Sequence, residues 1–174
     1  MNSTAEKCFT VGDIIVHPLF GAGEILDIRH ERAGGVTREY YVISTPADRV
    51  TAIVPIESAE KVGLRKPITR AEAEQLLQDA QTVELNLSEN WNRRYRECQH
   101  MMKSGNLLDI LRIIKAQLQR IDNQNVLSAS ERKMMKTAEL ILYSELMLAL
   151  ACTDTEVDVL VKTALGIPLT TRLL

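Results

Sequence analysis

The chain has 174 residues, 45% hydrophobic and 25% charged, with a formal net charge of −2 and a pI near 6.0. This is globular composition, sufficient for one medium domain or two small ones, and the near-neutral total excludes indiscriminate adhesion to nucleic acid or membrane surfaces. The total hides opposing segments: residues 1–64 carry six basic against nine acidic side chains, whereas residues 90–140 carry ten against five.

From Cys8 to Val62 the pattern is short alternating strands broken by turn residues. "DIIVH" leads through "PLFGAG" to "EILDIRHE", then through "RAGG" to "REYYVIS", and past "TPAD" to "RVTAIVPI". Pro18 and the glycines at 21, 23, 34 and 35 suit tight reversals. Such spacing predicts a small β-barrel of the SH3 or Tudor kind over residues 1–64. In "RVTAIVP", alternation sets Val50, Ala52 and Val54 on one face and Arg49, Thr51 and Ile53 on the other.

After "VGLRKP" the period lengthens to that of helices, and residues 65–174 read as an all-helical bundle, giving an α+β chain of two domains. Capping boxes mark helix starts at Thr69 ("TRAE"), Ser128 ("SASE") and Thr153 ("TDTE"). Two more helices begin near Ser88 or Asn90 and at Asn106, and Gly166 with Pro168 ends the last.

Cys8, Cys98 and Cys152 are odd in number and lack CxxC spacing, so reduced thiols and a cytoplasmic location are expected. The start "MNSTAEKCFTVGD" is unlike a signal peptide, and "LILYSELMLALAC", interrupted by Ser144 and Glu145, is too short to span a bilayer. His17, His30 and His100 are scattered, and the GxG of "PLFGAGEI" lies between strands rather than before a helix. With no Walker, GxSxG or HExxH pattern, the expectation is a non-enzyme without cofactor, metal or small-molecule substrate.

The stretch "LSENWNRRYREC" holds the single tryptophan, Trp91. On a helix, Trp91, Tyr95, Cys98 and Met102 form one stripe, and such stripes are ordinarily core. Against that, Arg93, Arg94 and Arg96 crowd the ring at a helix N-terminus, where the dipole disfavours cations, and Arg132 and Lys133 repeat the anomaly in the first turn of the Ser128 helix. A ring among cations suits DNA, bases meeting the ring and phosphates the charges. Both readings stand open on pattern alone.

"FTVGDIIVHPLFGAGEI", "EYYVIS" and "AIVPIESAEKVGLRKPI" resemble the RNA-polymerase-interacting domain of bacterial CarD/CdnL proteins, also found in the transcription-repair coupling factor; "NWNRRYRE", "SGN" and "LSASERKMMKTAELILYSELMLA" resemble the C-terminal helical domain of the same family. The resemblance runs from about Phe9 to Leu165. It implies a Tudor-like domain docking on the RNA polymerase β subunit and a helical domain touching promoter DNA, mainly backbone and minor groove, with Trp91 as a wedge at the upstream edge of the transcription bubble. Arg93, Arg94, Arg132 and Lys133 fall on the family's basic positions. On the polymerase side the family's basic contact falls on Ile53, which shares its strand face with Arg49 and Thr51, and another falls on Glu31, with Arg29 and Arg32 close by. The function implied is a transcription regulator that stabilises the open promoter complex. The alternative is a protein-only polymerase adaptor whose bundle binds another protein and whose tryptophan is core.

Overall fold

The computed structural model describes residues 8–33, 35–45, 51–84, 87–123 and 126–171. The chain divides into two compact units, residues 1–67 and 68–174.

In the first unit, β1 (Ile14–His17), β2 (Gly21–Ala33), β3 (Val36–Ser44) and β4 (Thr51–Pro55) form one antiparallel sheet in chain order. A 3-10 turn, Ile56–Ser58, and a one-turn helix, α1 (Ala59–Val62), follow. The expected barrel does not form. Closure would require β1 to pair with β4, yet the sheet runs β1-β2-β3-β4 without joining its ends. The outer side of β1 is instead bridged by Arg65, with Val16 N–H donating to the Arg65 carbonyl at 2.8 Å and Arg65 N–H returning to Val16 at 3.2 Å. On β4, among the described residues, no strand pairs with the outer side.

One face of the sheet buries Ile15, Ile25, Tyr41, Ile43, Ala52 and Val54, and Phe9, Ile56, Ala59 and Leu64 close over them. Burying the Tyr41 ring leaves its hydroxyl to be satisfied, and Phe9 does so through both its N–H (3.2 Å) and its carbonyl (3.3 Å). Gly23 is fixed by packing, since a Cβ there would lie 2.2 Å from the Ser44 carbonyl oxygen.

A bulge sets which side chains the rest of the ribbon shows. Ile25 pairs with Ile43 and Asp27 with Val42, leaving Leu26 as one extra residue on β2. The alternation is thereby reset, so that Ile28, opposite Tyr41, packs against the core while Arg29 and Glu31 fall on the opposite face.

The second unit contains α2 (Arg70–Ala80), α3 (Trp91–Ser104), α4 (Leu107–Asp122), α5 (Ala129–Leu150) and α6 (Asp154–Leu165). All three capping boxes form, at Thr69, Ser128 and Thr153, and Asn90 and Asn106 cap α3 and α4. The core is aliphatic, centred on Ile110, Leu111, Ile114, Met135, Ala138, Leu142 and Val161. Glu145 is fully buried and accepts the Ile68 N–H at 2.8 Å, tying the entry of α2 to the C-terminal half of α5. While α6 stops on Gly166, α5 stops on Ala151, which takes the left-handed conformation (φ 54°) at the cost that Cβ imposes there.

Candidate nucleic-acid and polymerase interfaces

The apolar stripe on α3 runs from the core outward. Cys98 is fully buried and Met102 nearly so, Tyr95 is partly covered, and Trp91 keeps 42% of its surface exposed. The indole is stacked on Tyr95 with ring centroids 5.5 Å apart and planes 11° from parallel. Trp91 is the first residue of α3, and Asn90, whose side chain accepts the Arg93 N–H at 3.1 Å, starts the helix just before it. One face of the ring is thus supported while the residue stays outside the core cluster. The core placement that the adaptor reading requires is not the one this residue adopts.

The arginines beside it separate into two kinds. Arg93 is exposed, its Nε donating to Glu97 Oε1 at 3.1 Å. The other Glu97 oxygen accepts the Ser88 N–H at 3.0 Å, and these donors, the Ser88 amide foremost, hold the carboxyl below its ordinary pKa. Arg94, expected at the DNA surface, is 8% exposed and turned inward. One arm of its guanidinium donates to the carbonyls of Ser88 (3.0 Å) and Glu89 (2.8 Å), and the other to Glu131 Oε1 (3.3 Å). The reason lies in its phase: Arg94 stands one helical turn before Cys98 and shares that buried side.

Glu131 is the counterpart, at 3% exposure. Besides Arg94 it receives Arg120 at 3.7 Å from α4, and its Oε2 accepts the N–H and hydroxyl of Ser128 at 2.9 and 2.8 Å. Burial pushes its pKa up, but the Ser128 and Arg94 hydrogen bonds and the Arg120 charge outweigh this, and the net shift is downward. Three helix ends meet on this carboxylate. Sequence reasoning missed Glu131 and Arg120 as members of the site; the signal was a capping-box glutamate amid basic residues.

Arg132, in the first turn of α5, and Lys133, just after it, are exposed. Arg132 reaches back to donate to the Leu127 carbonyl. Arg96 is exposed as well, its Nε donating to the Asn92 carbonyl at 3.3 Å, so the exposed cations near the starts of α3 and α5 include, among the described residues, Arg93, Arg96, Arg132 and Lys133.

On the β unit, strand register brings Arg29, Glu31, Thr51 and Ile53 to one face: Asp27, Val42 and Ile53 form one row across the sheet, Arg29, Tyr40 and Pro55 the next. Ile53 is 48% exposed between the buried Ala52 and Val54. Arg32 falls on the other face, and Arg49 lies outside the described residues, as do Gly34, Val50 and residues 46–48 of "TPAD".

A cavity of about 570 Å³ lined by Val83, Leu87, Met101, Leu108 and Arg112 lies toward the far end of α3 from Trp91 and includes no candidate residue. Among the described residues, no group of three His, Cys, Asp or Glu side chains could hold a metal, and no helix is long and apolar enough to cross a membrane.

A strand module whose β4 edge is unpaired among the described residues, followed in sequence by a helical module that exposes an aromatic ring among cations, defines a two-module protein with candidate docking surfaces on both modules. The family model described as the CarD-like/TRCF RID domain matches residues 9–68, and that described as the CarD C-terminal domain matches residues 71–162. The chain is also 28% identical over 150 residues to a candidate transcription factor, YdeB, of Bacillus subtilis (strain 168), an alignment covering 86% of this chain and 97% of that one. The chain belongs to the CarD/CdnL family. Its role is the family's non-catalytic one, regulation of transcription through an RNA-polymerase-interacting domain.

Proposed function

We propose that the chain binds the RNA polymerase β subunit through its N-terminal unit and promoter DNA through its helical unit, and that it stabilises the open complex with Trp91 lodged at the upstream edge of the bubble. The observation that carries this is the exposure of Trp91, 42%, at the end of a stripe that runs through the half-buried Tyr95 to the buried Cys98 and Met102. Unstacking a base step costs a few kcal/mol, roughly, and an apolar ring set against the opened step offsets part of it. Re-annealing then requires the ring to leave. Arg93, Arg132 and Lys133 supply phosphate contacts, which makes binding sensitive to salt and indifferent to sequence. For Arg93 a phosphate competes with Glu97. Arg94 takes no part in phosphate contact.

On the polymerase side, the row of Arg29, Thr51 and Ile53 offers an apolar and basic surface, and the free side of β4 suits main-chain pairing with an edge strand of the partner. Ile53 stands where relatives carry a basic residue, so this contact is apolar in this chain.

The test is the lifetime of polymerase–promoter open complexes after a heparin challenge, with wild-type chain and Trp91→Ala. The variant binds polymerase as the wild type does and gives shorter-lived complexes. Equal lifetimes would refute the wedge.

A further inference from the structure

The fork of hydrogen bonds around Arg94 lies within one helical turn of Trp91 on α3, and it joins parts of the chain far apart in sequence. Its Nη1 holds the carbonyls of Ser88 and Glu89, the two residues before the Asn90 cap, and its Nη2 holds Glu131, 37 residues away. Glu131 is fixed in turn by the Ser128 cap and by Arg120. Glu97 adds a second tie from α3 to the same lead-in segment through the Ser88 N–H. Trp91 sits between the clamped carbonyls and Arg94 itself. Its backbone is thereby braced against the first turn of α5, which carries Glu131, rather than left at a fraying helix end.

We propose that Arg94 and Glu131 are positioning residues for Trp91: their clamp fixes the direction in which the indole is presented, and so converts an exposed aromatic at a helix start into a wedge. This rests on the wedge reading of Trp91 and adds to it that the effect depends on two charged residues that never touch DNA. The identity of the cation matters because of geometry. Guanidinium serves three acceptors on one rigid plane, whereas an ammonium on a flexible stem cannot span them, although it would serve a phosphate equally well. Lysine at position 94 therefore separates a clamp from a phosphate contact.

The experiment uses the full chain with RNA polymerase and a promoter fragment, and the variants Arg94→Lys, Arg94→Met and Glu131→Gln, each alone and combined with Trp91→Ala. Glu131→Gln retains an oxygen for Ser128 and so keeps the α5 cap, which makes it the variant least exposed to loss of fold. Two quantities are read, open-complex lifetime and the fluorescence anisotropy decay of Trp91 in the free protein. In the Trp91-containing background, all three shorten the lifetime roughly tenfold, about the effect of one lost base-stacking contact. In the Trp91→Ala background they shorten it no further, since a positioning residue has nothing left to position. The anisotropy decay gains a fast component as the indole loosens. Wild-type lifetimes in folded variants, full activity of Arg94→Lys, or losses that add to that of Trp91→Ala would overturn the proposal. If Trp91→Ala itself matches wild type, the wedge reading fails instead, and an unchanged anisotropy decay then rejects the clamp separately.

Discussion

Replacing Trp91 by alanine has a cost that follows from how the ring sits. An aromatic of this size withdraws up to about 250 Å² from water when fully buried. With 42% left exposed, roughly 140 Å² is covered, and alanine would retain about a quarter of that. At about 25 cal/mol per Å² the net loss is ~2.5 kcal/mol, and the better helix propensity of alanine returns about 0.5, leaving ~2 kcal/mol. No sealed cavity remains, because water reaches the site, so the further penalty that carries core aromatic truncations to about 3–5 kcal/mol or more does not arise. For a helical unit of this size, urea unfolding followed by far-UV circular dichroism should shift by roughly 1–2 M in midpoint. A loss of about 4 kcal/mol or more would mean that the ring is enclosed, and a wedge would then be untenable. A loss under about 0.5 kcal/mol would mean that the ring does not rest on Tyr95 at all.

Lys133→Ala should reduce the slope of log affinity for a forked promoter duplex against log salt by about 0.9, the share of one phosphate; an unchanged slope removes Lys133 from the interface. Ala151→Gly relieves the left-handed end of α5 and should stabilise the helical unit by up to about 1 kcal/mol, read from the same urea transition. Burial, with Asp158 adding to it, raises the Glu139 carboxyl from its ordinary 4.5 to about 7. A carboxyl whose folded pKa is raised favours folding most at low pH and loses that contribution as pH rises from 4.5 to about 7, so stability should decline over that window. Glu139→Gln should flatten the decline and be the more stable protein at pH 8, as a pair of melting curves would reveal. Gly23→Ala places a methyl against the Ser44 carbonyl, 2.2 Å away, and should destabilise the β unit by about 3 kcal/mol, visible as lost amide dispersion in its NMR spectrum.

Much of the architecture was legible because it is written in local chemistry. Ser128 and Glu131 announce a helix start wherever they sit, and the capping boxes at Thr69, Ser128 and Thr153 all form. Closure of the sheet was not legible, because it depends on what meets the outer side of β1, and Arg65 does so from beyond the strand pattern. The site divides the same way. Trp91 was distinctive by composition, yet its exposure is decided by where α3 begins relative to the bundle. Arg94 shared its neighbours' basic character, and only its phase with Cys98 separated it from Arg93. Charge alone could not say which arginine faces outward; helical phase could.

The unpaired Leu26 has a further consequence for comparing this chain with its relatives. Every side chain of β2 beyond it owes its side of the ribbon to one extra residue. Two homologues with the same ribbon sequence but one position more or fewer before Asp27 would offer opposite faces to whatever they meet. Matching residues across that point by letter alone would equate outward side chains with inward ones, and a conserved docking surface would look lost where it had merely been turned over.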